Sequence, residues 1–151
     1  MAKVQRIVIH CTGEPSTVVR DREYYRHLFF EVYKWKHWGY HIVVYQNGSW
    51  EILQHMPKTT YGIAWIGDST MANGAKGYNT TSLHIAYVGG IDPKTGKPAD
   101  TRTILQRESL RVLVSKLKAS YQVSEVVSHS QLPNVSKACP CFDAKTEYAD
   151  V

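Results

Sequence analysis

A chain of 151 residues, 43% of them hydrophobic, can bury a core without disulfide or metal staples, so one domain over residues 1–151 is expected. The formal charge of +5 attracts anionic partners, yet the basic residues are interleaved with acids, as in "RDRE" and "QRESLR". That pattern lacks the clustered stripe of a nucleic-acid binder. Three cysteines do not make the even framework of a small secreted scaffold, and no apolar run approaches membrane-spanning length.

At the N-terminus the only apolar run is Ile7 to Ile9, too short for a signal-peptide core. A cytoplasmic product without an export address is expected. The β-branched stretch "VQRIVIHC", bounded by Gly13 and Pro15, reads as a buried strand with His10 near its C-terminal end. Next, "RDREYYRHLFFEVYKWKHWGY" places Tyr25, Leu28, Phe29, Val32 and Trp35 at helical spacing. Asp21 marks its start and Gly39 its stop. Its aromatic density reads as core.

"YHIVVYQNGSWEILQ" contains two strand-like runs around Asn47-Gly48, a hairpin signal. Residues 56–79 show no clear period and read as an irregular functional segment. "SLHIAYVGG" is another buried strand, followed by the polar loop "IDPKTGKPAD". Thr103 and Gln106 form a capping box opening an amphipathic helix through "ILQRESLRVLVSKLKASY". "EVVSH" is a short strand ending at His129, "SQLPNVSKACPC" is loop, and "FDAKTEYA" is a terminal helix capped by Asp143. The order β-α-β-β-β-α-β-α describes an α/β domain with a mixed sheet, since the hairpin rules out a purely parallel one.

His10 and His129 thus end separate strands, where sites gather in α/β sheets. The loop after His129 brings Cys139 ten residues later. Two imidazoles and a thiolate suit zinc, and three protein ligands leave the fourth tetrahedral place for water. A histidine at a strand end is also an ordinary hydrogen-bonded structural residue, and a lone cysteine an ordinary small hydrophobe. Neither HExxH nor a paired CxxC motif is present to decide between these readings.

The stretches "IVIHCTGEPS", "WGYHIVVYQNGSWE", "GAKGYNTTSLHIAYVGGID" and "SHSQLPNVSKACPCFD" decide it. In this order, from about Lys3 to Asp143, they resemble the zinc-dependent N-acetylmuramoyl-L-alanine amidases of the type-2 family. The similarity is to the T7-lysozyme type of phage enzyme, with peptidoglycan recognition proteins as relatives. The resemblance implies a central mixed sheet flanked by helices, and hydrolysis of the amide between the lactyl group of N-acetylmuramic acid and L-alanine of the stem peptide. It implies zinc as cofactor, held by His10, His129 and Cys139. Tyr40 and Lys137 match the family's catalytic tyrosine and lysine. Peptidoglycan or a muropeptide is the implied partner, with neither nucleic acid nor membrane. A non-catalytic peptidoglycan-binding module is the alternative; such binders commonly lack a metal ligand, whereas all three positions are filled here.

A metal ion lowers the proton affinity of water and polarises a carbonyl. Lys137 could stabilise an oxyanion, and Tyr40, a poor base at a phenol pKa of about 10, is assigned to positioning and hydrogen bonding. Period-two alternation points His41 away from Tyr40, so it is not made a ligand. Cys11 and Cys141 are read as packed thiols. Lys76, Tyr78, Asn79 and Trp65 are expected to line the substrate groove, although "GYN" equally suits turn chemistry. The chain departs from several phage relatives at Gly74, where they carry histidine, at His84, where they carry a small residue, and in a longer "GIAWIGDSTMAN".

Overall fold

A run such as "RIVIHC" is apolar at successive positions, so it is stable only as a strand covered on both faces. In the computed structural model, which describes residues 2–135 and 137–151, it does form such a strand. After β1 (Ala2–Lys3) come β2 (Arg6–Cys11) and β3 (Glu14–Pro15). Helix α1 (Arg22–Arg26) continues as a π-helical stretch over His27–Val32. Strands β4 (Ile42–Val44), β5 (Trp50–Ile52), β6 (Thr59–Thr60), β7 (Ile63–Ile66), β8 (Ser82–Tyr87) and β9 (Gly90–Ile91) follow. The chain closes with α2 (Ile104–Tyr121), β10 (Glu125–Ser128) and α3 (Ala144–Glu147).

The main sheet has the order β10-β2-β8-β4-β5, parallel throughout except for the antiparallel β4-β5 hairpin. It is the mixed sheet expected from the sequence. Period-two alternation divides its strands between two layers. Ile7, Ile9, Ile42, Val44, Leu83, Ile85 and Val126 pack with Leu110, Leu113 and Val114 of α2 and with Ala144 and Tyr148 around α3. On the other face Val43 joins Tyr25 and Phe29 of the first helical segment, while Val8 and Val127 meet Ala75 and Leu132.

Asp21 caps α1 by accepting from the Tyr24 N–H at 2.9 Å, but the helix ends at Val32 instead of reaching Gly39. Lys34 is left-handed at φ 57°, and the chain turns back so that Trp35 stacks on Phe29, 5.5 Å between centroids. Gly39 is required by close approach: a Cβ there would lie 2.6 Å from the Phe29 ring. The hairpin forms at Asn47-Gly48, with the Gly48 N–H bonded to Tyr45 O and Gly48 at φ 84°, the three-residue loop rather than the two-residue one.

Residues 56–79 are not wholly irregular. Tyr61 and Gly62, at φ 53° and 76°, turn β6 into β7, and β1 pairs β7 to complete a small sheet. The tyrosine masks a turn in which two left-handed residues are needed, so composition alone missed it. The terminal helix matches expectation, with Asp143 accepting from the Thr146 N–H at 3.0 Å. The loop expected after His129 is present on either side of Ser136, which lies outside the described residues together with Met1.

The capping box also forms: Thr103 Oγ1 accepts from the Gln106 N–H at 3.0 Å, and Gln106 Oε1 accepts from the Thr103 N–H at 2.9 Å. The fully buried Gln106 does more, since its Nε2 donates to Val88 O at 3.0 Å and Val44 O at 3.3 Å, latching α2 onto β4 and the end of β8. Gln106→Leu keeps the bulk but strips the Val88 carbonyl and the Thr103 amide of this partner. It is expected to lower unfolding stability by about 1–3 kcal/mol, read as a reduced urea midpoint at an unchanged slope.

Candidate active site and metal centre

Strand pairing decides where the histidines meet. β2 lies between β8 and β10, and the parallel register sets Ile9 opposite Ser128, so His129, the next residue, comes beside His10. Their rings are 4.7 Å apart. His129 opens a 3₁₀ turn (His129–Gln131) directly after β10, and both histidines are buried.

Cys139 reaches them from a loop fixed at several points. The Ser130 N–H donates to Cys139 O at 3.0 Å, the Tyr87 hydroxyl to Pro140 O at 2.7 Å, and the Ser128 hydroxyl to Phe142 O at 2.8 Å. The Cys11 N–H donates to the Cys139 sulfur at 3.1 Å. One donor atom from each of His10, His129 and Cys139 then lies within 4.8 Å of the other two. Bonds of about 2.0–2.3 Å to one ion can nearly span that separation, so the three side chains fit a metal with small adjustments.

Electrostatics favour the forms a cation needs. Burial, and then the nearby His129 and Lys137, hold the His10 imidazole well below its usual pKa; burial and Lys137 do the same for His129. Both are therefore neutral at pH 7, with a lone pair available. The Cys11 thiol and then the Cys11 amide lower the Cys139 pKa against the opposing effect of burial, and the Lys137 charge adds to this. Conversely, the contact with Cys139 and burial raise the Cys11 pKa far above the thiol range, and burial pushes Cys141 up to about 11. Cys139 is thus the most acidic thiol of the three, while Cys11 is buried and Cys141 points its sulfur at Gly90 O, 3.5 Å away.

These groups form the base of a cleft of about 410 Å³. Tyr40 and Lys137 line it together with the metal-capable set, and Tyr24, Leu28, Tyr33 and Trp35 supply an aromatic and apolar wall. Burial, followed by the neighbouring Cys139, raises the Tyr40 pKa well above that of a free phenol, so its hydroxyl keeps its proton. Glu14 also faces the cleft, but its two oxygens accept from the Tyr25 hydroxyl and Arg20 Nε, each at 2.6 Å. It is committed to structure.

The other expected groove residues lie elsewhere. Trp65 stands on β7, in register with Lys3 of β1 in the small sheet. Tyr78 donates to Pro133 O at 3.0 Å and receives the Arg6 guanidinium over its ring. Asn79 accepts from the Ala75 N–H at 2.8 Å and donates to Asn73 Oδ1 at 3.1 Å, the turn role of "GYN". Neither they nor Lys76 line the cleft, whereas Asn73 and Gly74 do. Tyr40 lines the cleft and His41 does not, although both precede β4, which begins at Ile42. His41 is buried beside His84, its Nε2–H donating to Thr70 O at 2.7 Å and its Nδ1 accepting the His84 N–H at 3.0 Å.

Solved structures share this architecture. The fold matches an N-acetylmuramoyl-L-alanine amidase, LysC, from Clostridium intestinale (TM-score 0.68, 18% identity, 98% of this chain and 83% of that one). It equally matches the peptidoglycan recognition protein SA of bumblebee (TM-score 0.68, 14% identity, 99% and 85%). In sequence, the endolysin of Escherichia phage T7 is 34% identical over 142 residues, which span 92% of this chain and 82% of that protein. Residues 1–142 match the N-acetylmuramoyl-L-alanine amidase family, and the chain belongs to it. No helix among the described residues is long and apolar enough to cross a membrane.

Four buried histidines, His10, His41, His84 and His129, have lowered pKa values, chiefly through burial, and that of His41 is drawn down to about 4. Unfolding returns each to about 6.5, so below that pH the unfolded chain binds more protons and stability falls as pH falls. For His41 the loss runs from about pH 6.5 to about 4 and amounts to something on the order of 3 kcal/mol. Denaturation of metal-free protein at pH 7.5, 6 and 4.5 is expected to show a steadily declining midpoint; a flat profile across this window contradicts neutral buried imidazoles.

Proposed function

We propose that this protein cuts the amide between the lactyl group of N-acetylmuramic acid and L-alanine of the peptidoglycan stem, with zinc held by His10, His129 and Cys139. The observation that carries this reading is the convergence of those three donors at the base of a cleft whose wall also holds Tyr40 and Lys137. Neutral imidazoles and a thiolate are the donor set zinc prefers, and three protein ligands leave it an open position. Bound there, zinc would supply Lewis acidity and raise the acidity of water near neutral pH.

The chain's own groups account for the rest. The aromatic wall of Tyr24, Tyr33 and Trp35 offers apolar surface to the faces of a glycan or peptide and narrows access of bulk water to the base of the cleft. Lys137 brings a positive charge to the place where the carbonyl oxygen becomes negative, a contribution of about 2.7–4 kcal/mol for one well-placed donor. Tyr40 retains its proton and therefore acts as a hydrogen-bond donor, orienting the carbonyl or the attacking oxygen rather than taking a proton from it. The bonds from Ser130 N–H to Cys139 O and from the Ser128 hydroxyl to Phe142 O hold Cys139 near His129.

Measuring bound zinc and the release of peptides with new N-terminal L-alanine from purified peptidoglycan tests the assignment. Cys139→Ala is expected to lose both. Tyr40→Phe and Lys137→Met are expected to retain zinc while kcat falls about 10²–10³-fold. An active wild type free of metal defeats the proposal, and zinc binding without peptide release assigns the protein to recognition instead of cleavage.

A further inference from the structure

His84 lies at the middle of the sheet, on β8 between β2 and β4, and is completely buried. Its register partner on β2 is Val8, which makes it the diagonal neighbour of His10 on the same face. The two rings meet through nitrogen: His84 Nδ1 is 2.8 Å from His10 Nε2. On its other side His84 stacks parallel to His41, 6.0 Å between centroids, and His41 is fixed by its bonds to the His84 amide and Thr70 O.

The opposite nitrogen of His10, Nδ1, faces the Cys139 sulfur at 3.8 Å. For Nδ1 to offer its lone pair to a cation, a neutral His10 must carry its proton on Nε2. Nε2–H then needs an acceptor in a place without solvent, and His84 Nδ1 is positioned to be one, at the cost of leaving the His84 proton on a buried Nε2 that has no partner among the described residues. We infer that His84 is a positioning residue for the metal site, fixing the tautomer and ring orientation of His10, and that Gly74 is glycine to make room for it. The inference rests on the metal reading proposed above.

Gly74 supplies the second, independent observation. Its backbone is not in the left-handed region, so conformation does not require glycine. Space does: a Cβ at position 74 would stand 2.5 Å from His84 Nδ1 and 2.6 Å from the adjacent ring carbon. The loop that carries Gly74 is held against the ring. The Asn73 N–H donates to Trp38 O at 2.8 Å, and Asn79 bonds both Asn73 and Ala75. A side chain at 74 therefore cannot simply lift away; it displaces the imidazole from His10. Sequence departures at positions 74 and 84, ten residues apart, become one feature: the imidazole comes from the strand because the loop above it leaves the space.

The consequence is read in metal affinity and in protonation, separately from turnover. Asparagine places an amide oxygen near the location of histidine Nδ1, so His84→Asn is expected to bind zinc within about threefold of wild type in competition with a chromophoric chelator. His84→Leu, which fills the space without an acceptor, is expected to lose about 10–100-fold, and Gly74→Ala to lose a similar factor with residue 84 unchanged. Nitrogen-15 NMR of the metal-free wild type should show the His10 proton on Nε2. Zinc affinity in His84→Leu equal to wild type, or a His10 proton on Nδ1, overturns the inference. The tautomer is measured without metal or substrate, so it remains decisive if the leucine variant fails to fold. Absence of zinc binding by the wild type, in contrast, refutes the metal reading itself.

Discussion

Parallel pairing of β2 with a neighbour on each side is the constraint on which the site depends. Side chains in a parallel sheet repeat along a face in register, so two histidines at the ends of adjacent strands share a face and a height only if the pairing is fixed. Slipping β10 by one residue against β2 would turn Val127 and His129 toward the α2 layer and bring Ser128 up beside the base of the cleft. The apolar residues on the opposite face prevent this. Ile7, Ile9, Leu83, Ile85 and Val126 stay buried under α2 only if the strands do not slip by an odd number of residues, and the observed register puts His10, His84, His41 and His129 together on the other face. Core packing on one face therefore sets the chemistry on the other.

The third donor illustrates a different kind of control. Cys139 has no strand to hold it, and its place comes from bonds made by residues that carry no chemistry themselves: Ser130, Tyr87 and Ser128. The Cys11 amide at the end of β2 completes this arrangement by donating to the sulfur. The same strand end thus presents His10 and places a hydrogen-bond donor on the Cys139 sulfur. Cys11 and Cys139 are consequently a matched pair, the first kept a thiol by the proximity of the second.

Where sequence reasoning and structure part, the cause is contact between segments distant in the chain. The helical spacing of Tyr25, Leu28, Phe29, Val32 and Trp35 is real through Phe29, but Trp35 reaches Phe29 by the chain doubling back. Aromatic residues that read as core therefore divide by burial, Tyr25 and Phe29 being buried and Tyr24, Tyr33 and Trp35 more exposed, although all five line the cleft. Similarly, "GYN" contributes a braced turn instead of a groove lining, because Asn79 satisfies its amide on Ala75 and Asn73.

The sequence by itself determined the alternation of strands and helices, the hairpin, the capping residues Asp21, Thr103 and Asp143, and the family, because these are written in local periodicity, turn chemistry and short contiguous motifs. Only the tertiary structure decided that His84 touches His10, that a Cβ at position 74 would collide with His84, that Glu14 is already occupied, and that Trp65 stands apart from the cleft. Each of these depends on which strands become neighbours and at what register. That choice is made by burial of the whole core and is not encoded in any one segment.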